Sequence, residues 1–67
     1  MQLTVNGTPR DFDRPLATVA DLVRELALEG KRIAIEKNGA IVPRSRYAGT
    51  AIANGDVLEI VGAVGGG

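Results

Sequence analysis

The sequence contains no cysteine and no histidine. Disulfide staples, zinc sites of the usual ligand types and Cys or His nucleophiles and bases are excluded by that fact alone. Its only serine, Ser45, has no histidine to activate it, so a Ser-His-Asp site is ruled out as well. Two aromatics, Phe12 and Tyr47, are too few for a base-stacking platform. Charge of one sign is also missing: eight basic groups balance eight acidic ones, so neither nucleic acid nor an anionic membrane is an expected partner. Nothing approaches the roughly 20 consecutive apolar residues of a membrane span. The opening Met1-Gln2-Leu3-Thr4-Val5 lacks the basic start and apolar run of a signal peptide, and the expected setting is the cytoplasm. At 67 residues and 45% hydrophobic, the chain has room for one small domain with a modest core.

What is present is strongly punctuated. Asn6-Gly7, Asn38-Gly39 and Asn54-Gly55 each offer the positive-φ dipeptide that a tight hairpin turn needs. Met1–Val5 alternates, with Met1, Leu3 and Val5 on one face. Thr8–Asp13 is expected to return as a second strand with Phe12 inward. Pro9 cannot donate a ladder hydrogen bond, which places that strand at an edge. Thr18 and Asp21 have the spacing of a capping box, and Val19, Leu22, Val23 and Leu26 follow at helical spacing as one apolar stripe, closed by Gly30 as a left-handed cap. Arg32–Lys37 alternates with Ile33 and Ile35 inward. Asn38-Gly39 turns it into Ala40–Val42, which Pro43 stops. Arg44–Ala53 is irregular, with a helical turn around Arg46–Ala48 and Tyr47 and Ile52 as anchors. Val57–Val61 is the last strand, with Leu58 and Ile60 inward. The order ββαβββ with a single helix predicts a two-layer α+β fold of four to five mixed strands, in which the first and last strands pair at the centre: the β-grasp arrangement. Residues 1–61 form the domain, and residues 62–67 form a flexible Gly-Gly tail.

Most candidate chemistry has a plain structural reading. Asp11 and Asp13, flanked by Arg10 and Arg14, suit a solvated edge, and Asp56 suits the Asn54-Gly55-Asp56 turn. Arg44 and Arg46 fit either a solvated loop or a contact with an acidic patch or phosphate. Tyr47 fits a core anchor better than a stacking platform. The glycine-rich end is different. A phosphate-cradling loop must feed a helix, and nothing follows Gly67 here. A frayed terminus is one reading. The other is presentation of the terminal carboxylate to another protein's active site. Glycine threads a channel too narrow for a Cβ, and six residues reach about 20 Å. Such a carboxylate needs activation, typically as an acyl-adenylate, before it accepts sulfur or an amine.

Met1-Gln2-Leu3-Thr4-Val5-Asn6-Gly7, Thr18-Val19-Ala20-Asp21-Leu22, Ile33 through Arg44, Gly55-Asp56-Val57-Leu58-Glu59-Ile60-Val61 and Val64-Gly65-Gly66-Gly67 together resemble the ThiS family, the β-grasp, ubiquitin-like sulfur carriers of thiamine biosynthesis. The resemblance implies that Gly67 carries the carboxylate that becomes a thiocarboxylate, with Gly66 as the other half of the Gly-Gly terminus. A third glycine, Gly65, is a departure at a variable position. It implies three partners: an E1-like adenylating enzyme that uses ATP, a cysteine desulfurase system that supplies sulfur, and thiazole synthase as acceptor. The carrier would be a cosubstrate, not an enzyme, with no bound cofactor or metal. Docking falls to the open sheet face, where Ala34, Val57 and Val61 are expected, with Ala63 and Val64 at the root of the tail. Alternatives are the small subunit of molybdopterin synthase, a ubiquitin-like modifier of lysines, and an interaction domain with a frayed tail. A ferredoxin-type β-grasp needs cluster cysteines and is excluded.

Overall fold

Two of the three Asn-Gly dipeptides build the two hairpins. In the computed structural model, which describes residues 1–62, Asn6 and Gly7 lie at φ 52° and 80°, and Asn38 and Gly39 at φ 51° and 87°. Positive φ at both central residues is the backbone of a type I′ turn, whose twist matches that of the strands it joins. The first turn links β1 (Gln2–Val5) to β2 (Thr8–Asp11), and the second links β3 (Ile33–Lys37) to β4 (Ala40–Val42). The remaining elements are α1 (Val19–Glu25), a 3-10 helix (Arg44–Gly49) and β5 (Val57–Gly62).

The five strands form one sheet in the order β2-β1-β5-β3-β4. β1 and β5 run parallel at its centre, with Thr4 opposite Val57 and Val5 opposite Leu58; every other pairing is antiparallel. Pro9 sits on β2, an edge strand, where its missing N–H removes no interior ladder bond. This is the β-grasp topology expected above. β2 ends at Asp11, two residues early, yet Phe12 still turns into the core. β5 runs one residue past Val61, because Gly62 pairs with Ile33. Gly62 is therefore strand and not tail.

The helix begins as expected and ends differently. Thr18 accepts from the Asp21 N–H through its hydroxyl, and the Asp21 carboxylate accepts from the N–H groups of Thr18 and Ala17 at 3.2 and 2.9 Å. These backbone donors, Ala17 first, hold the Asp21 carboxyl below the usual aspartate range. At the other end α1 stops at Leu26, not near Gly30. Ala27 takes φ 58°, its N–H bonds the Arg24 carbonyl, and the Leu28 N–H reaches back to the Val23 carbonyl at 2.9 Å. This is a Schellman motif with alanine in the position glycine usually holds. Gly30, at φ 76°, serves a later bend.

One face of the sheet and the apolar stripe of α1 enclose the core: Leu3, Val19, Leu22, Ile35 and Leu58 are fully buried, and Tyr47 and Ile52 close it from the 3-10 segment. A short bridge fastens that segment to the helix start, with the Val19 N–H on the Thr50 carbonyl and the Ile52 N–H on the Ala17 carbonyl.

The third Asn-Gly pair is not a hairpin. Only Gly55 has positive φ there (91°), and the pair docks on β1. The Gln2 N–H donates to the Asn54 side-chain oxygen, and the Gly55 N–H donates to the Gln2 carbonyl, both at 2.7 Å. Asp56 ties this corner to the second hairpin. Its carboxylate accepts from the Asn38 amide (3.1 Å) and the Ala53 N–H (2.8 Å), with the Lys37 ammonium at 4.0 Å. The Asn38 amide above all, then the Ala53 N–H and the Lys37 charge, hold the Asp56 carboxyl below its usual range against the opposing effect of burial.

These contacts fix two expectations of opposite sign and one pH dependence. Leu22→Ala should cost about 2–5 kcal/mol through the cavity it leaves. Ala27→Gly should stabilise by about 0.5–1 kcal/mol by relieving the left-handed alanine. Thermal melts of both variants measure these values, and an unstabilised Ala27→Gly would contradict the capping assignment. Because its folded pKa is depressed, Asp56 stabilises the fold above its unfolded pKa, and that contribution is lost as pH falls through the folded value. Urea melts at a series of pH values from neutral into the acid range should show a smaller loss of stability on acidification for Asp56→Asn than for the parent chain.

Candidate functional site

α1 covers only one face of the sheet, and register decides what the other face shows. Ala34 lies opposite Val61, Glu36 opposite Glu59 and Glu36 opposite Ile41, while Thr4 lies opposite Val57. Residues in direct register share a face. Ala34, Glu36, Ile41, Val57, Glu59 and Val61 are thus on the open side, and all are exposed. Ile41 is 75% accessible, Val61 62% and Val57 41%.

The expected docking residues Ala34, Val57 and Val61 therefore share the open face, Ala34 beside Val61 and Val57 four residues further back along β5. Ala63, Val64, Gly65, Gly66 and Gly67 lie outside the described residues. Ile41 was not singled out from sequence, although the signal was present. A two-residue turn fixes the register across Asn38-Gly39, so Ile41 must share the face of Glu36 while Val42 turns inward with Ile35.

Two carboxylates punctuate this apolar face. Glu36 and Glu59 are directly opposite each other, and among the described residues neither is in an ion pair. Like charges directly across a ladder are destabilising.

Other candidates resolve structurally. Tyr47 is buried as a core anchor, and Asp11 and Asp13 are solvated at the far edge. A hollow of about 530 Å³ between the β2–α1 connection and the helix is lined by Arg14, Pro15, Leu16, Asp21, Arg24 and Glu25. Its charges neutralise one another: Arg14 lies 3.8 Å from Glu25 and Arg24 lies 3.1 Å from Asp21.

Asn6 braces the strand that leads toward residue 63. Its side-chain amide donates to the Ile60 carbonyl (3.0 Å), and its side-chain oxygen accepts from the Ile60 N–H (2.7 Å). The amide thus takes the place of a peptide group and prolongs the β1–β5 ladder beyond the end of β1.

Comparison with known proteins adds an independent line. The profile of the ThiS family matches residues 3–67. The chain is 35% identical to the sulfur carrier protein ThiS of Bacillus subtilis (strain 168), over 97% of this chain and 98% of that protein. It is 45% identical, over its whole length, to part of a thiazole synthase of Paramagnetospirillum magneticum, and spans 20% of that longer protein. The crystal structure of the thiamine biosynthesis protein ThiS of Geobacter metallireducens superposes with a TM-score of 0.85 at 32% identity, covering 100% of both chains.

The facing glutamates make a direct prediction. Glu59→Lys turns a repulsive cross-strand pair into an attractive one and should raise stability by about 0.2–1 kcal/mol. Thermal melts at low salt should show the gain, and added salt should shrink it. A loss of stability would argue against the register.

Proposed function

The chain belongs to the ThiS family, and from that premise we propose that it is a sulfur carrier of thiamine biosynthesis, with Gly67 as the residue that bears the sulfur. An E1-like enzyme adenylates the Gly67 carboxylate with ATP: a carboxylate oxygen attacks the α-phosphorus and pyrophosphate leaves. Sulfur drawn from cysteine through a desulfurase system arrives as an enzyme persulfide, whose terminal sulfur displaces AMP to give an acyl disulfide. A thiol reductant then cleaves the S–S bond, leaving the thiocarboxylate on Gly67 and regenerating the enzyme thiol. Thiazole synthase accepts that sulfur. The chain acts as a protein cosubstrate, and ATP belongs to the activating partner.

The observation that carries this reading is the match to the family along residues 3–67, which includes the Gly-rich segment as well as the folded part. The thiazole synthase relative supports the choice of acceptor, because a segment 45% identical to this chain is covalently part of that protein. Geometry supports the division of labour. β5 is held on both sides, by β1 and β3, so the segment after it departs from a rigid base. Ala34, Val57 and Val61, together with Ile41, supply an apolar face for docking, and Ala63, Val64 and Gly65, which precede Gly66-Gly67 in sequence, are read as further partner contacts. Among the described residues no helix is long and apolar enough to cross a membrane.

The decisive test is the intact mass of the chain after incubation with the activating enzyme, ATP and a sulfur source. A gain equal to exchanging one oxygen for sulfur, located to Gly67 by fragmentation, is expected. An unchanged mass, with the enzyme active on another carrier, would overturn the reading and favour a modifier or a plain interaction domain. Delivery of the sulfur to thiazole synthase, and not to molybdopterin synthase, fixes the pathway. Gly66→Val should leave the melting curve unchanged and lower ATP–pyrophosphate exchange about a hundredfold, the scale of a misplaced reacting group.

A further inference from the structure

Arg44, which the sequence left between a solvated loop and a contact with an acidic patch or phosphate, is brought by the fold to the point where β5 ends. Its guanidinium donates to the Lys31 carbonyl at 3.0 Å, and the Lys31 N–H in turn donates to the Leu28 carbonyl. Lys31 and Arg32 lead directly into β3, whose first residue, Ile33, pairs with Gly62. Three cations from two separate stretches of sequence therefore gather beside the last described residue of the central strand. All three are exposed. Among the described residues none of them is in an ion pair, and the nearest acid in sequence, Glu29, is paired with Arg24 at 3.6 Å.

In a chain of zero net charge this is a segregation. Uncompensated positive charge stands at the end of β5, whereas Glu36 and Glu59 place negative charge in the middle of the open face.

We propose that Lys31, Arg32 and Arg44 form a cationic collar that docks on an acidic rim around the entrance through which thiazole synthase admits residues 63–67. The inference rests on the carrier reading above and deepens it. Five residues beyond Gly62 span at most about 17 Å. An entrance that admits Gly67 to a buried site must then lie close against Gly62, and the side chains flanking Gly62 meet its rim. Exposed charges at a rim act mainly on encounter: they steer and orient the partner, and their effect weakens as salt screens them.

The test is stopped-flow association of the full chain with cognate thiazole synthase at several ionic strengths. Parent chain, Arg32→Glu, Arg44→Glu and Arg14→Glu are compared; Arg14 is an exposed cation away from the β5 end that pairs with Glu25. Arg32→Glu and Arg44→Glu should each slow association about tenfold at low salt, flatten its salt dependence and leave dissociation nearly unchanged. Arg14→Glu should behave as the parent. Arg44→Glu also loses the bond to the Lys31 carbonyl, so Arg32→Glu, which breaks no such bond, keeps the test sound if the first variant is unstable. Equal rates for Arg32→Glu and Arg14→Glu, in a parent chain that does acquire sulfur, would overturn the collar and leave the carrier reading standing. A parent chain that neither acquires sulfur nor binds would overturn both.

Discussion

The parallel contact between β1 and β5 holds the molecule together. Only Thr4–Val57 and Val5–Leu58 are in register, yet this short seam joins the first strand to the last and closes two hairpin halves into one sheet. A parallel pair needs a long crossover between its strands, and here everything from β2 to the 3-10 helix lies within that crossover. The cost of ordering so long a loop must be offset where the ends meet. Leu3 and Leu58 are fully buried there, and the backbone adds three further bonds: Thr4 N–H to the Asp56 carbonyl, Asn6 N–H to the Leu58 carbonyl and Gly55 N–H to the Gln2 carbonyl. The Asn6 amide prolongs the ladder by two more bonds to Ile60.

All three asparagines of the Asn-Gly pairs attend to this centre. Asn6 holds β5 from the β1 side. Asn38 holds it from the β3 side, with its side-chain oxygen accepting from the Val57 N–H at 2.8 Å. Asn54 receives the Gln2 N–H where β1 begins. Asparagine at the first turn position tolerates positive φ and leaves its amide free to bond elsewhere. The same residue therefore shapes the hairpin and clamps the central strand. A rigid β5 matters for the carrier reading, since any segment presented to an enzyme's interior must be anchored at its root.

With one helix covering one face, the other face stays open, and its chemistry is set by alternation. Every inward residue of β3, β4 and β5 brings an outward neighbour. Ala34, Ile41, Val57 and Val61 are small or branched apolar groups, and Glu36 and Glu59 are the exceptions that meet across the ladder. The fold tolerates that repulsion because the exposed carboxylates remain solvated, which keeps its cost small.

Period and turn chemistry are local, so the sequence alone carried the strand alternation, the two type I′ hairpins, the Thr18–Asp21 box, the edge position of the Pro9 strand and the core positions Leu3, Leu22, Ile35, Tyr47 and Leu58. The resemblance of its segments, in their order, also carried the ThiS family. Other features depended on which backbone groups found partners at a distance. The helix stopped at Leu26, with Ala27 and not Gly30 as its left-handed cap, because the Leu28 N–H could close on the Val23 carbonyl. The Asn54-Gly55 pair became a corner on β1 and not a hairpin because the Gln2 peptide was there to meet it. Gly62 joined β5 because Ile33 lay opposite. Ile41 joined the open face through register, and Lys31, Arg32 and Arg44 met at the end of β5 because β3 and the chain after β4 begin and finish at the same end of the sheet. Local geometry is written in neighbouring residues; the company a side chain keeps is decided only when distant strands pair.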